Sequence, residues 1–86
     1  MSDAEHHPTT WVRPADRQIL ERLHGCHTDY PALIASRLGI HTPYVERRCA
    51  VLEEHGLIEA VSEEVVYRIT DRGEEYLETH PEAPGV

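Results

Sequence analysis

Arg47 and Arg48 stand side by side in the stretch Thr42-Pro-Tyr-Val-Glu-Arg-Arg-Cys49. A guanidinium carries its donors in a planar fork that matches the paired acceptors on the major-groove edge of guanine. One such contact is worth about 1–3 kcal/mol of discrimination against other bases. A hydroxyl like that of Thr42, placed at a helix N-terminus, suits a phosphate oxygen. Ala50 and Val51 are small enough to let a backbone approach a groove. The chemistry these residue types could carry is contact with double-stranded DNA, and the question is which elements would present them.

Three segments share one punctuation, opening on proline and closing on glycine. They are Pro14 to His24 before Gly25, Pro31 to Leu38 before Gly39, and Pro43 to His55 before Gly56. Proline suits the first helical turn, and glycine just past the end adopts the left-handed conformation that stops a helix. The apolar spacing agrees. Ala15, Ile19, Leu20 and Leu23 share a face of the first segment, and Leu33, Ile34, Ala35 and Leu38 a face of the second. Val45, Cys49 and Leu52 follow at i, i+4 and i+7 in the third. Thr42 is the expected N-cap of the third helix.

After Gly56 the period changes to two. Leu57 to Val61 and Val65 to Thr70 read as strands joined by Ser62, Glu63 and Glu64. Thr70 caps a last helix, Asp71 to Thr79. A lone hairpin is marginal in water, so it must lie against the helices. The expected fold is α+β, mostly helical: a winged helix-turn-helix with three helices, a two-stranded β-hairpin wing and a short C-terminal helix. Residues 1–10 are expected to be a disordered arm, 11–79 the winged-helix domain and 80–86 a frayed tail.

Ala35, Gly39 and Val45 have the spacing of a tight helix-turn-helix. A small residue lets the next helix cross, a glycine supplies the turn and an apolar residue fills the angle. With Val45, Cys49 and Leu52 facing the core, the opposite side of the third helix holds Pro43, Arg47, Ala50, Val51 and Glu54, with Tyr44 alongside. Recognition helices meet bases through their N-terminal half. The candidate DNA-contacting residues are therefore Thr42, Tyr44, Arg47, Arg48 and Val51, with Arg68 near the wing. Four of these have a plainer reading. Arg47 is then a solvated surface residue, and Arg48 pairs with Glu46 or Glu53. Tyr44 leans on the second helix, and Arg68 pairs with a neighbouring glutamate.

The run Val45-Glu-Arg-Arg-Cys-Ala-Val-Leu-Glu-Glu-His-Gly-Leu-Ile58 resembles the recognition helix and first wing strand of winged helix-turn-helix regulators. Tyr67-Arg-Ile-Thr-Asp-Arg-Gly-Glu-Glu-Tyr-Leu77 resembles the following strand and closing helix. With Trp11-Val-Arg-Pro-Ala-Asp-Arg-Gln-Ile-Leu20, the chain is similar over residues 11–78 to small haloarchaeal winged-helix proteins of the phage phi-H repressor kind. It is more distantly similar to the MarR and PadR groups. The resemblance implies sequence-specific DNA binding, usually as a homodimer, and transcriptional regulation.

Charge narrows this further. The 86 residues carry 16 acids against 8 basic residues, a net charge of −8, and every basic residue is arginine. A sticky, nonspecific nucleic-acid binder is excluded. An acid excess without lysine fits a protein of concentrated salt, where the Debye length falls to about 3 Å at 1 M; an ordinary acidic protein is the plainer reading. Residues 13–48 hold six arginines and four acids. The acid excess thus lies around the helix-turn-helix, and Glu63 and Glu64 set carboxylates at the wing tip.

Cys26 and Cys49 are too few for a disulfide framework, and no apolar run reaches the ~20 residues of a membrane span. With no export signal, a cytoplasmic location is expected. His24, Cys26, His27 and His41 lack the regular spacing of a zinc site, so no metal or other cofactor is expected. No phosphate loop or nucleophile motif is present, so no enzymatic activity is expected. So small a helical core leaves little room for a pocket, and no small-molecule ligand is expected. Two functions remain. One is a DNA-binding regulator, a repressor, pairing as a homodimer through its first and last helices near Trp11, Val12, Tyr76 and Leu77. The other is a winged-helix protein-interaction module without DNA binding, favoured if Glu46, Glu53 and Glu54 neutralise the third helix.

Overall fold

Proline and glycine punctuate the fold nearly as the sequence sets them. The computed structural model describes residues 11–26, 28–61 and 66–80. Among these, four helices and three short strands run in the order α1 (Pro14–Cys26), β1 (Thr28–Asp29), α2 (Pro31–Leu38), α3 (Thr42–Glu54), β2 (Ile58–Ala60), β3 (Tyr67–Ile69) and α4 (Asp71–Thr79). Gly39 closes α2 at φ 73°, and its N–H donates to the Ala35 carbonyl. Gly56 follows α3 at φ 77°. Both are left-handed positions that a Cβ would strain.

Gly25 departs from the expectation. It lies inside α1, which runs on to Cys26, because the next turn comes only at the entry to β1. Thr42 is also corrected as N-cap. His41 takes the cap position, its carbonyl accepting from the N–H groups of Tyr44 and Val45 at 3.1 Å each. Pro43 fixes the first turn, so Thr42 is drawn into the helix. Thr70 caps α4 as the sequence requires: its Oγ1 accepts from the Gly73 N–H at 3.0 Å and donates to the Gly56 carbonyl at 2.7 Å.

The expected two-stranded pair, β2 with β3, is present, and a third short strand, β1, joins it in one sheet. β3 lies centrally, antiparallel to β2 with Ile58, Glu59 and Ala60 opposite Ile69, Arg68 and Tyr67. On its other edge β1 places Thr28 and Asp29 opposite Arg68 and Tyr67. Two residues carry no readable alternation, which is why β1 is invisible in the sequence. Asp29 is buried, accepting from Arg22 Nε of α1 at 3.1 Å and from the Tyr30 N–H at 2.9 Å. The expected acidic wing tip, Glu63 and Glu64, lies outside the described residues, as do the expected disordered arm 1–10 and residues 81–86 of the expected tail.

One core joins these elements. Ile19, Leu20 and Leu23 of α1 meet Ile34 and Ala35 of α2, Val45, Cys49 and Leu52 of α3, and Leu57 and Ile58. Leu33 does not join them. It is 47% exposed, since the step of one residue from Ile34 turns it outward. Leu38 and Ile40 pack partly buried against the cluster around Val45, as the helix-turn-helix spacing expects. The last helix is drawn in closely. A Cβ on Gly73 would stand 2.2 Å from the Leu57 carbonyl oxygen, so only glycine admits this approach of α4 to the sheet. At its far end, Arg17 of α1 donates to the His80 carbonyl.

Candidate nucleic-acid interface

Burial of Val45, Cys49 and Leu52 fixes the rotation of α3, and the residues opposite follow. Pro43, Arg47, Ala50 and Glu54 are exposed, and Thr42, Tyr44 and Val51 half-buried. The Arg47 guanidinium lies over the Tyr44 ring, 5.5 Å from its centroid. This cation–π contact, worth about 0.5–1 kcal/mol at an exposed site, biases the arginine toward one orientation without consuming its donors. Among the described residues, no carboxylate lies within ion-pair distance of Arg47. Glu46, Glu53 and Glu54 are exposed to solvent, and none of them pairs with it.

The neighbouring arginine has different surroundings. Arg48 is only 13% exposed and reaches across to α1. Its Nε donates to Asp16 Oδ1 at 2.8 Å, and its Nη2 to Asp16 Oδ2 at 2.6 Å and to the Trp11 carbonyl at 3.1 Å. The Asp16 carboxylate pushes the guanidinium pKa further up. Arg48 does meet a carboxylate, but it is Asp16 rather than Glu46 or Glu53. Asp16 also accepts from the Arg13 N–H at 2.9 Å, closing the first turn of α1 in the manner of a capping box. The sequence does contain a signal for this. Asp16, Ile19, Leu20 and Leu23 share the i, i+3, i+4, i+7 stripe, so an acid sits where the core must be and needs a partner.

Arg68 stands on the sheet directly opposite Glu59, with Nε 2.6 Å from Oε2. Both side chains are about half exposed, so this surface pair is worth little, and water competes for it. Cys49 is fully buried, and burial pushes its thiol up to about 12, which keeps it a neutral packing group. Of the histidine and cysteine cluster, His27 and the Cys26 side chain lie outside the described residues. Among those described, no three metal-ligating side chains converge.

An α2–turn–α3 unit braced by a sheet and a closing helix is the geometry of a winged helix-turn-helix. The profile of the winged helix-turn-helix phage repressor family matches residues 6–83. The chain belongs to that family. A solved structure, the PhiH1 repressor-like protein from Haloarcula marismortui, is similar at 32% identity and a TM-score of 0.73, with 80% of each chain covered. No curated protein matches significantly. Membership of the winged repressor family makes the chain a DNA-binding regulator in general terms, and the family is not an enzymatic one. No helix among the described residues is long and apolar enough to cross a membrane.

Proposed function

We propose that the chain is a sequence-specific repressor that sets α3 in the major groove and works as a homodimer in the cytoplasm at high salt. Arg47 carries this reading. It is exposed, held over Tyr44, and unpaired among the described residues although the chain has twice as many acids as arginines. Tyr44 and Val51 flank it on the same side of α3 and would meet base edges or sugar. No side chain caps the N-terminus of α3; Pro43 has no N–H and those of Tyr44 and Val45 bond the His41 carbonyl, so the Thr42 N–H and hydroxyl would meet a phosphate. Arg48 serves the interface indirectly by fixing α3 to α1. Arg68 would exchange Glu59 for a phosphate near the wing.

The alternative, an interaction module without DNA binding, is favoured if the glutamates neutralise α3, and no described glutamate pairs with Arg47. High salt weakens phosphate contacts through loss of counterion release, so base contacts gain in relative weight there. The test is band-shift titration of genomic fragments in molar salt. Arg47→Ala should weaken binding to the cognate fragment by roughly tenfold or more while changing binding to random DNA far less. Equal loss on both would remove Arg47 as a base reader. Light scattering at micromolar concentration tests the pairing, and a strict monomer would overturn it.

A further inference from the structure

Between Trp11, the turn after α3 and α4 lies a hollow, although so small a helical core leaves little room for one. It has a volume of about 240 Å³ and is lined by Trp11, His55, Leu57, Arg72, Glu75 and Tyr76. A cavity of about 150 Å³ is enough to take up benzene, so this one admits a single aromatic ring with a short polar tail. Its walls suit a ring. Trp11 stacks on His55 with centroids 3.8 Å apart and planes 14° from parallel, and Tyr76 is held flat against His80 at 4.2 Å. Each aromatic wall is thus backed by a histidine ring, and Leu57 adds an aliphatic surface.

The polar groups are of both signs. Arg72 and Glu75 are three residues apart on α4 and so project to one side of it. Both are exposed, and neither makes an ion pair among the described residues, with each other or elsewhere. A ligand with only one charge would satisfy one of them and be repelled by the other. We propose that this hollow binds an aromatic α-amino acid, with its ring between Trp11 and Tyr76, its carboxylate on Arg72 and its ammonium on Glu75. Two of the walls are bonded to α3: His55 follows its last turn and bonds the Val51 carbonyl, and the Trp11 carbonyl accepts from Arg48.

Trp11 is the sole tryptophan of the chain, so its emission reports on the hollow directly. The full-length protein is titrated with L-phenylalanine, exciting where phenylalanine does not absorb. No DNA is present, so the outcome is independent of the proposed operator binding. A saturable change in emission is expected. Arg72→Gln and Glu75→Gln, both at exposed positions, should each weaken it about tenfold, the effect of losing one charge-assisted contact. 3-Phenylpropionate, which lacks the ammonium, and 2-phenylethylamine, which lacks the carboxylate, should each bind about tenfold more weakly than L-phenylalanine. L-Alanine, which lacks the ring, should leave the emission unchanged. The absence of saturation with L-phenylalanine would overturn the proposal. So would an affinity unmoved by either substitution, or a singly charged analogue binding as tightly as the amino acid.

Discussion

Asp16 on α1 and Arg48 on α3 form a two-point ion pair, 2.6 and 2.8 Å, with the carboxylate wholly buried. Removing one partner of a buried pair leaves an uncompensated charge and costs about 3–5 kcal/mol. Arg48→Ala should therefore lower the unfolding free energy by about that amount. Arg47→Ala, one residue away and exposed, should cost at most about 1 kcal/mol, the worth of its contact with the Tyr44 ring. Urea unfolding at fixed salt distinguishes them, and equal effects would refute the division of labour between the two arginines. The pair Asp16→Leu with Arg48→Met should recover most of the loss, since apolar residues of similar volume often replace a buried pair without penalty.

Two glycines on helices should respond in opposite directions to alanine. At Gly73 a Cβ would meet the Leu57 carbonyl oxygen at 2.2 Å and Ile69 Cγ1 at 2.6 Å. Backbone cannot yield cheaply there, so Gly73→Ala should destabilise by about 1–3 kcal/mol or more. At Gly25 an added Cβ would have nothing within 4 Å, and its φ is not positive. Gly25→Ala should stabilise by about 0.4–1 kcal/mol by reducing the freedom of the unfolded chain. Thermal midpoints of the two variants check both signs.

Thr70 Oγ1 does two things at once, accepting from Gly73 and donating to the Gly56 carbonyl. Thr70→Ala removes the cap of α4 and its tie to the turn after α3. A loss of about 1–2 kcal/mol is expected, and Thr70→Ser should keep most of the stability. Denaturant midpoints of the two variants provide the comparison, and equal losses would show that the hydroxyl is not what matters.

Cys49 should make the fold sensitive to alkali. Its thiol is pushed up from 9.0 to about 12 by burial, with smaller contributions from nearby acids. Above pH 9 the unfolded chain loses this proton while the folded chain keeps it, so stability is full below pH 9 and falls as pH rises toward 12. The slope from this group approaches about 1.4 kcal/mol per pH unit. Urea unfolding from about pH 8 to pH 11 should show it. Cys49→Ala, less stable than the parent near neutral pH, should lack that share of the slope.

Much of the molecule is legible as spacing. Proline before and glycine after each apolar stripe set α2, and nearly set α1 and α3, because local backbone preferences act within a turn. The 3.6-residue period puts Val45, Cys49 and Leu52 in the core and therefore Arg47 outside it. Thr70 as the cap of α4 follows from its own side chain. What stays hidden depends on partners distant in sequence. Two residues become β1 only because β3 offers them a ladder 38 to 40 positions later. The choice of Asp16 over the nearer glutamates for Arg48 is made by the crossing of α1 and α3, which brings a desolvated carboxylate within reach and leaves Glu46 and Glu53 in water. The hollow beside Trp11 likewise exists only because α4 closes on the turn after α3. The order of residues by itself determines which must be buried and where helices begin and end, since those are local or periodic properties. Tertiary structure alone decides which arginine is structural and which is free for a partner, because that depends on the distance and solvation of charges that meet only when the chain has folded.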